Sequence, residues 1–531
     1  MNPEPIPGED MVTVRRRMIC LLLPVLLFLM TFSAIVATID DYGLTWDEKC
    51  YIDNANSIDR WFGQLPGSSS FSYDSINSYW NSQWKDDLTG NVHPPFIKLS
   101  AIFFRHSIGP ALFDNVVYQY RISTAFWASI LVLTLFLVIR RLTGSNIWAL
   151  LGGLTFLAVP RFFAEAHLYT TDMVIAALGF LGLSIFVFAS RPRTRIFFGG
   201  IVIGAALATK FTGILALVLI ASMIVISEDR KRFLREYGCL ILVAFLFFSL
   251  FNLPLLFNPS REFAIYFSSF LNREKIVPIS TLYFGTVYDY RLPAAFPWVM
   301  FGITLPPIIV FTAVLGLVTG VVRSLKSKDL LSYFSVVPFL VLMAVYMLPG
   351  TPKHDGIRLL SSSWPFIILL SVAGCCWVQG LVPQGFKAGT AIASMSLLLA
   401  ASDVKAYHPY ELSYYNRFIG GTKGAQDRGF IVSYWYDAFN RDFFRDVSAI
   451  TANQAVGIYS YPNDRIVRWN QEYGFLAAGL LPVPQQGEYK YILVLNRILL
   501  PEMLEYLGRC APLLIIRTRD GAFIGGLYEN R

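Results

Sequence analysis

The sequence predicts an α-helical polytopic membrane protein with its N-terminus inside, its C-terminus outside and a soluble α/β domain at the C-terminal end. Hydrophobic residues make up 55% of the 531 residues and charged residues only 15%, and the mean hydropathy is +0.50. Soluble domains of this length carry more charge than this. The net charge of +8 comes from short Lys and Arg clusters between apolar runs, which indicates membrane orientation and argues against a nucleic-acid partner.

Apolar runs recur along the first 401 residues, and a helix that crosses a bilayer needs roughly 20 of them in succession. About eleven runs reach or approach that length: 18–39, 118–139, 147–160, 172–189, 196–209, 212–227, 238–257, 298–322, 332–348, 363–381 and 386–401. The first has no small-residue cleavage site behind it, which favours a retained helix over a signal peptide. The runs at 147–160 and 196–209 are short, which favours tilted, broken or re-entrant helices and leaves the count open by two.

Basic clusters set the predicted orientation. With the N-terminus inside, five cytoplasmic segments contain Lys or Arg: Arg15–Arg17, Arg140–Arg141, Arg191–Arg195, Glu228–Glu236 and Arg323–Lys328. The opposite orientation would move all of these clusters outside, against the positive-inside rule. An odd number of spans with an external C-terminus is therefore the consistent solution.

The predicted division is a transmembrane module at 1–401, with a large first external loop at 40–117, and a non-cytoplasmic soluble α/β domain at 402–531. Strand-like runs in the tail, such as Tyr491–Leu495 and Leu513–Thr518, alternate with Gly and Pro. Cys50 and Cys510 are the only candidates for a disulfide, and nothing in their spacing requires one.

An acidic pair, Asp47-Glu48, follows the first apolar run within a few residues of the membrane surface. A carboxylate at this position could act as a general base on an acceptor hydroxyl or amine. The alternative interpretation is an ordinary solvated pair in a loop.

Basic residues on the predicted outer side are not explained by membrane orientation. They are Lys98, Arg121, Arg161, Lys210, Lys353 and Arg358. Lys210 lies in a turn between two apolar runs, where a charge is costly without a partner, and a membrane-embedded phosphate would provide one. The loop that contains Lys353, His354 and Arg358 adds further cations for a lipid-linked phosphate. For each residue alone, headgroup anchoring or snorkelling is an equally good explanation.

Two further polar residues flank predicted helices. His93 precedes Pro94-Pro95 and an amphipathic stretch that runs to about Pro110, short enough to lie along the membrane interface. Asp172 opens an apolar helix, where a carboxylate complements the helix dipole. A helix-flanking or capping role is sufficient for both.

In their order, these motifs resemble the GT-C superfamily of polyprenyl-phosphate-sugar-dependent glycosyltransferases, in particular the protein O-mannosyltransferase and aminoarabinose transferase group. The matching elements up to about residue 400 are the pair Asp47-Glu48, the stretch His93–Lys98, Arg121, Asp172 and the turn Thr209–Gly213. The tail, with His408–Asn416 and Gly420-Gly421, is similar to tails of bacterial members.

The resemblance implies a GT-C-like fold of about 11 transmembrane helices and transfer of a sugar from a polyprenyl-phosphate-linked donor to a lipid, glycan or protein acceptor. Asp47 would be the general base, with Glu48 beside it. Substrate-binding residues would be His93, Lys98, Arg121, Asp172 and Lys210, which match motifs of the family. The cationic loop adds Lys353, His354 and Arg358 as candidates from the sequence itself. A single displacement would invert the anomeric centre, and the site and tail would face the periplasmic side of a bacterial inner membrane.

Some relatives in that superfamily use a divalent metal near the sugar phosphate, but no spacing in this sequence identifies ligands. The principal alternative function is a transporter or flippase that recognises the same lipid phosphate without bond chemistry. It would explain the cations but not the acidic pair, and no inverted repeat supports it. A membrane anchor that displays the tail as a binding module would not need so many spans.

Overall fold

The structure is a computed structural model. It describes residues 11–65, 71–81, 93–271, 279–289, 291–326, 329–383, 385–451, 456–463, 465–484, 487–499 and 501–530. Parts of the predicted first external loop, at 66–70 and 82–92, and Lys328 of the last predicted cytoplasmic cluster lie outside the described residues.

Seven helical segments in the described ranges are long and apolar enough to cross a membrane: Leu22–Asp41, Val116–Thr143, Thr171–Phe188, Arg230–Phe251, Pro307–Lys326, Leu330–Met347 and Arg358–Leu381. An eighth span is possible if the pair Asn146–Leu157 and Pro160–His167, bent by 68°, crosses as one broken helix. The bend falls at Pro160, whose ring and missing N–H disfavour a continuous helix.

All eleven predicted apolar runs are helical. Those at 196–209 and 212–227 form the shorter helices Thr194–Leu207 and Phe211–Ile226, the run at 298–322 is divided between Phe296–Thr304 and Pro307–Lys326, and the last forms Ala388–Tyr407. The polytopic α-helical fold is thus confirmed, whereas the count of eleven spans and the orientation stay predictions.

Shorter helices lie between and after the candidate spans. Those before the tail are Trp46–Gly63, Tyr73–Trp80, Phe96–His106, Gly109–Leu112, Leu253–Phe257 and Pro259–Leu271; those in the tail are Gly421–Asp427, Arg441–Thr451, Arg465–Glu472 and Pro501–Arg509. Phe96–His106 is the predicted amphipathic helix, with Ile97 and Ala101 buried and Phe103 exposed.

Two transmembrane helices, Pro307–Lys326 and Trp364–Leu381, approach each other closely at glycines. A Cβ on Gly316 would overlap the carbonyl oxygen of Leu370, and one on Gly374 would overlap that of Thr312. Small residues of this kind let membrane helices pack backbone to backbone, where van der Waals contact drives association.

The tail contains a five-stranded mixed sheet. Its strands are β3 (Val456–Tyr461), β4 (Leu480–Pro482), β5 (Tyr491–Leu495), β6 (Ala511–Arg517) and β7 (Phe523–Glu529), in the spatial order β4-β3-β5-β7-β6. Strand β3 pairs in parallel with β4 and β5, and β7 is antiparallel to both β5 and β6. Every residue of β5 is buried, as expected for a central strand. The predicted strands thus correspond to β5 and β6.

A two-stranded hairpin, β1 (Thr281–Tyr283) and β2 (Thr286–Tyr288), lies against the tail through a hydrogen bond from Gly285 N–H to the carbonyl of Gly429 (3.0 Å). The tail also contacts the first external loop, where Gly43 N–H donates to the carbonyl of Asp437 (2.8 Å). The helix Ala388–Tyr407 continues through the predicted boundary at 401–402. The two predicted parts are therefore joined by continuous helix and by packing.

Candidate active site

Asp47 lies in the first turn of the helix Trp46–Gly63. A capping box between Thr45 and Glu48 fixes the start of this helix, because it satisfies backbone N–H groups that have no partner within the helix. The Asp47 side chain is 24% exposed, and its Oδ2 accepts a hydrogen bond from Arg358 Nη1 at 2.5 Å. Asp47 is therefore an anchored carboxylate that still contacts solvent.

Glu48 has a different environment, although it is the next residue. It is fully buried, and its two oxygens form a bidentate pair with Arg121 at 2.7 and 2.8 Å. Glu48 also accepts from the backbone N–H of Tyr169 (2.8 Å) and from Thr45 N–H (2.9 Å). These contacts occupy both of its oxygens within the protein.

Arg121 is likewise fully buried and makes five hydrogen bonds. Besides the two to Glu48, it donates to the carbonyl oxygens of Ile39 (3.0 Å), Tyr42 (2.8 Å) and Gly43 (2.6 Å). These contacts use every N–H group of a guanidinium. Arg121 therefore holds the first external loop against the transmembrane helices.

Arg358 is the centre of the charged cluster. In addition to Asp47, its Nη2 donates to Asp355 Oδ2 (3.2 Å), and its Nε lies 3.7 Å from Asp172 Oδ2. The guanidinium carbon lies 3.7 Å from the ring centroid of Trp435, close enough for a strong cation–π contact. The side chain is only 6% exposed, so its charge is held by three carboxylates and an aromatic face.

Asp172 and Lys210, predicted separately, form an ion pair. Asp172 lies in the first turn of the helix Thr171–Phe188, and its Oδ1 is 2.6 Å from Lys210 Nζ. The carbonyl of Asp172 accepts from Ser361 Oγ (3.0 Å), which ties this helix start to the segment after Arg358. Asp172 thus lies between two of the predicted phosphate-binding cations.

Asp355 brings the tail into the cluster. Its Oδ1 accepts from Arg497 Nη2 (3.1 Å) and its Oδ2 from Trp435 Nε1 (3.1 Å). Burial alone would raise the pKa of Asp355, but the charges of Arg497, Arg358 and His354 lower it by more than that. The pKa of Asp355 therefore lies below its ordinary value. An ionised Asp355 gives the cluster three carboxylates and three cations. The carboxylates are Asp47, Asp172 and Asp355; the cations are Lys210, Arg358 and Arg497.

Lys98 lies in the neighbouring helix Phe96–His106. It is 2% exposed, and Nζ donates to the carbonyl of His93 at 2.7 Å. In the part of the chain that the structure describes, it has no carboxylate partner, and burial lowers its pKa to about 7. The His93 ring packs against Tyr51, with ring centroids 6.0 Å apart. Lys98 is therefore a buried amine with capacity for an anion.

The start of this helix is close to the Lys210 turn, because Phe96 N–H donates to the carbonyl of Ala208 (2.8 Å). Tyr51 connects the two parts of the site: its hydroxyl lies in the field of Asp47, Asp172 and Arg358, and burial together with these carboxylates raises its pKa. His93, Lys98 and Lys210 thus adjoin one polar region.

Three other predicted residues lie at its edge. Lys353 Nζ donates to the carbonyl of Leu348 (2.8 Å), and burial lowers its pKa. His354 is buried beside Asp355, whose pKa it lowers. Arg161 lies between the rings of Tyr415 and Tyr434, at 4.8 and 5.1 Å, so its contacts are with the tail.

The sequence did not identify Tyr51, Asp355, Trp435 or Arg497 as site residues. Asp355 lies in the loop already selected for its cations, and its place between His354 and Arg358 was a usable signal. Trp435 and Arg497 carry no local signal, since they reach the site only through the packing of the tail.

A narrow apolar groove with a free volume of about 10 Å³ lies beside the charged cluster. It is lined by Ile175, Ala176, Gly179, Phe180, Thr212, Gly213, Leu215, Ala216, Leu219, Ser362 and Phe366. Thr212 follows Lys210 by two residues and Ser362 follows Ser361, so this end of the groove adjoins the ion pairs.

Across the described ranges, His, Cys, Asp and Glu form no cluster of three or more suited to a metal ion. Cys50 and Cys510 are both buried, and no disulfide joins them.

Comparison with known proteins agrees with this architecture. Residues 93–256 match the family model of the dolichyl-phosphate-mannose-protein mannosyltransferases. No curated protein sequence matches the chain significantly. The matched segment contains Lys98, Arg121, Asp172 and Lys210.

Among solved structures, ArnT from Cupriavidus metallidurans bound to undecaprenyl phosphate has a TM-score of 0.50 and 13% identity, covering 96% of this chain and 98% of that one. AglB, the oligosaccharyltransferase of Archaeoglobus fulgidus, has a TM-score of 0.47 and 11% identity over 97% of this chain and 75% of its own. The protein O-mannosyltransferase complex Pmt1-Pmt2 of S. cerevisiae has a TM-score of 0.30 and 14% identity over 49% and 38%. The chain therefore shares the fold of ArnT. Its residues 93–256 resemble the mannosyltransferase family.

Proposed function

We propose that this protein is a glycosyltransferase that moves a sugar from a polyprenyl-phosphate-linked donor to an acceptor on the non-cytoplasmic face of the membrane, with Asp47 as general base. The observation that carries the proposal is the contact between Asp47 and Arg358, at 2.5 Å. It joins a solvent-accessible carboxylate, which can take a proton, to a cluster of cations that can neutralise a departing phosphate.

In the proposed reaction, Asp47 takes the proton of an acceptor O–H or N–H group as the acceptor atom attacks the anomeric carbon. The bond between that carbon and the phosphate oxygen breaks, and the polyprenyl phosphate leaves with the bonding electrons. Arg358 and Lys210 stabilise the charge that develops on it. One displacement inverts the anomeric centre.

The surroundings support a lipid-linked phosphate as donor. Lys98 is a buried amine without a carboxylate partner in the described ranges, and a phosphate beside it would offset the cost of its charge.

Two further predicted site residues, Glu48 and Arg121, have supporting roles in this proposal. Glu48 and Arg121 satisfy each other and fix the loop that carries Asp47, so neither is assigned to the substrate.

The proposed face follows from the helix Val116–Thr143. Arg121 lies near its N-terminal end and Arg140–Arg141 in its last turn. At roughly 1.5 Å per residue, these ends are about 28 Å apart, close to the thickness of a bilayer core. Basic clusters favour the cytoplasm, which supports an external position for Asp47, Arg358 and the tail.

The test is transfer of radiolabel from a panel of undecaprenyl-phosphate-linked sugars to membrane extract, using protein purified in detergent. Loss of the base in Asp47→Asn is expected to slow transfer by about 10²–10⁴-fold. Asp74→Asn, an exposed carboxylate of the same external loop, is the matched control and is expected to retain the wild-type rate. Full transfer by Asp47→Asn would contradict the base assignment. A wild-type protein that transfers no sugar but moves the donor between the leaflets of reconstituted liposomes would support a flippase.

A further inference from the structure

Two tail residues, Trp435 and Arg497, donate hydrogen bonds to Asp355, and the Trp435 ring also contacts Arg358. We propose that Trp435 and Arg497 are positioning residues that hold the Arg358 guanidinium at Asp47, ready for the donor phosphate, an inference that rests on the proposed function. The tail would then form part of the catalytic apparatus.

The contacts form a closed arrangement around one carboxylate. Asp355 Oδ2 accepts from both Arg358 Nη2 (3.2 Å) and Trp435 Nε1 (3.1 Å), while Asp355 Oδ1 accepts from Arg497 Nη2 (3.1 Å). The Trp435 ring covers the flat face of the Arg358 guanidinium at 3.7 Å. Arg497 therefore fixes Asp355, and Asp355 and Trp435 together fix the plane of Arg358.

If this restraint is lost, the Arg358 side chain is expected to rotate away from Asp47. Its buried Nε has no hydrogen-bond partner among the described residues and lies 3.7 Å from Asp172 Oδ2. A buried, unpaired N–H is costly, so a small rotation towards Asp172 would be favoured. The contacts with Asp355 and Trp435 oppose that rotation and keep Nη1 on Asp47.

Trp435 also holds the other partner of the pair. Its carbonyl accepts from Trp46 N–H (3.1 Å), the residue immediately before Asp47. Trp435 and Tyr436 have φ values of 51° and 72°, and Asp355 has 55°, a region that L-residues rarely adopt. Such backbone persists only where the surrounding structure over-determines it, which agrees with a segment shaped to meet Asp47 and Arg358 together.

The experiment is a double-mutant cycle between Arg497 and Arg358, read as the dissociation constant for undecaprenyl phosphate in detergent. Arg497→Met removes the charge and fork that hold Asp355, and is expected to weaken binding about tenfold in the wild-type background. In the Arg358→Lys background, Arg497→Met is expected to cost less than twofold, since the residue through which it acts is already lost. Arg497→Lys should recover part of the affinity.

Controls separate positioning from general damage to the tail. Arg445→Met changes an exposed Arg of the tail paired with Asp442 and should leave binding unchanged. Trp435→Phe, which keeps a ring on Arg358 but lacks the Nε1–H donor, tests the same link if Arg497→Met fails to fold.

The possible outcomes are distinct. Equal losses for Arg497→Met, or for Trp435→Phe, in both Arg358 backgrounds would overturn the positioning role. Coupled binding losses without any sugar transfer by the wild-type chain would overturn the proposed function alone. Failure of the wild-type chain to bind undecaprenyl phosphate would overturn both.

Discussion

Asp47 and Glu48 are adjacent carboxylates that the helix places in different environments. Successive side chains on an α-helix point about 100° apart, so the first faces the charged cluster and the second faces the core. Asp47 is 24% exposed and contacts Arg358, whereas Glu48 is fully buried on Arg121. Identical chemistry at adjacent positions therefore gives a candidate base and a structural ion pair.

We predict that Glu48→Gln lowers stability rather than chemistry. The substitution leaves the buried Arg121 charge without its anion, and removing one partner of a buried pair costs about 3–5 kcal/mol. Thermal unfolding of the protein purified in detergent should show a clearly lower midpoint. Asp47→Asn, the same chemical change one residue earlier, should unfold near the wild-type midpoint. A Glu48→Gln variant that is stable but inactive would instead support a catalytic role for Glu48.

At this scale the sequence predicted the charged residues better than their partners. Because an isolated charge near hydrocarbon is costly, the sequence correctly predicted that Lys210 has a counter-charge. Within the protein this counter-charge is Asp172, 38 residues away. Arg358 meets Asp47 across 311 residues. Sequence spacing reports neighbours on one helix, so pairs formed by packing of distant segments were beyond its reach.

At the scale of helices, the apolar pattern was sufficient to predict that each run is helical, since a bilayer allows little else. It was insufficient to predict how the helices meet. Gly316 and Gly374 bring Pro307–Lys326 and Trp364–Leu381 into backbone contact, and Thr312 and Ser371 share a hydrogen bond of 2.6 Å at the same interface. Glycines in an apolar run look alike in sequence, and only packing distinguishes them.

We predict that Gly374→Val destabilises this helix pair. Its side chain would overlap the Thr312 carbonyl oxygen, and overpacking of this kind costs about 1–3 kcal/mol. The thermal midpoint in detergent is the measurement. Gly380→Val, on the same helix but with nothing within 4 Å of the new Cβ, should leave the midpoint close to wild type. Equal midpoints for the two variants would show that the helices separate without cost.

For the whole molecule, the main finding is that the tail and the membrane module share the site. Strands β5 and β6 could be predicted from their strand-like runs between Gly and Pro residues, but docking of the tail onto Arg358 could not, because Trp435 and Arg497 resemble any other tail residues in sequence. A second junction lies away from the cations. His408 follows the helix Ala388–Tyr407. It contacts Glu411 of the tail at 2.8 Å and Asp41 of the first external loop at 2.9 Å.

We predict that this second junction makes stability depend on pH. The hydrogen bond to Glu411, opposed by burial and aided by Asp41, raises the pKa of His408 from 6.5 to about 9. Because the folded pKa is the higher one, the stabilisation is complete below pH 6.5 and is lost as the pH rises through 9. The difference in thermal midpoint between wild type and His408→Gln should therefore be largest at pH 6 and smallest at pH 10, where only packing differs. A difference that stays constant over this range would mean that His408 joins the tail to the first loop without its charge.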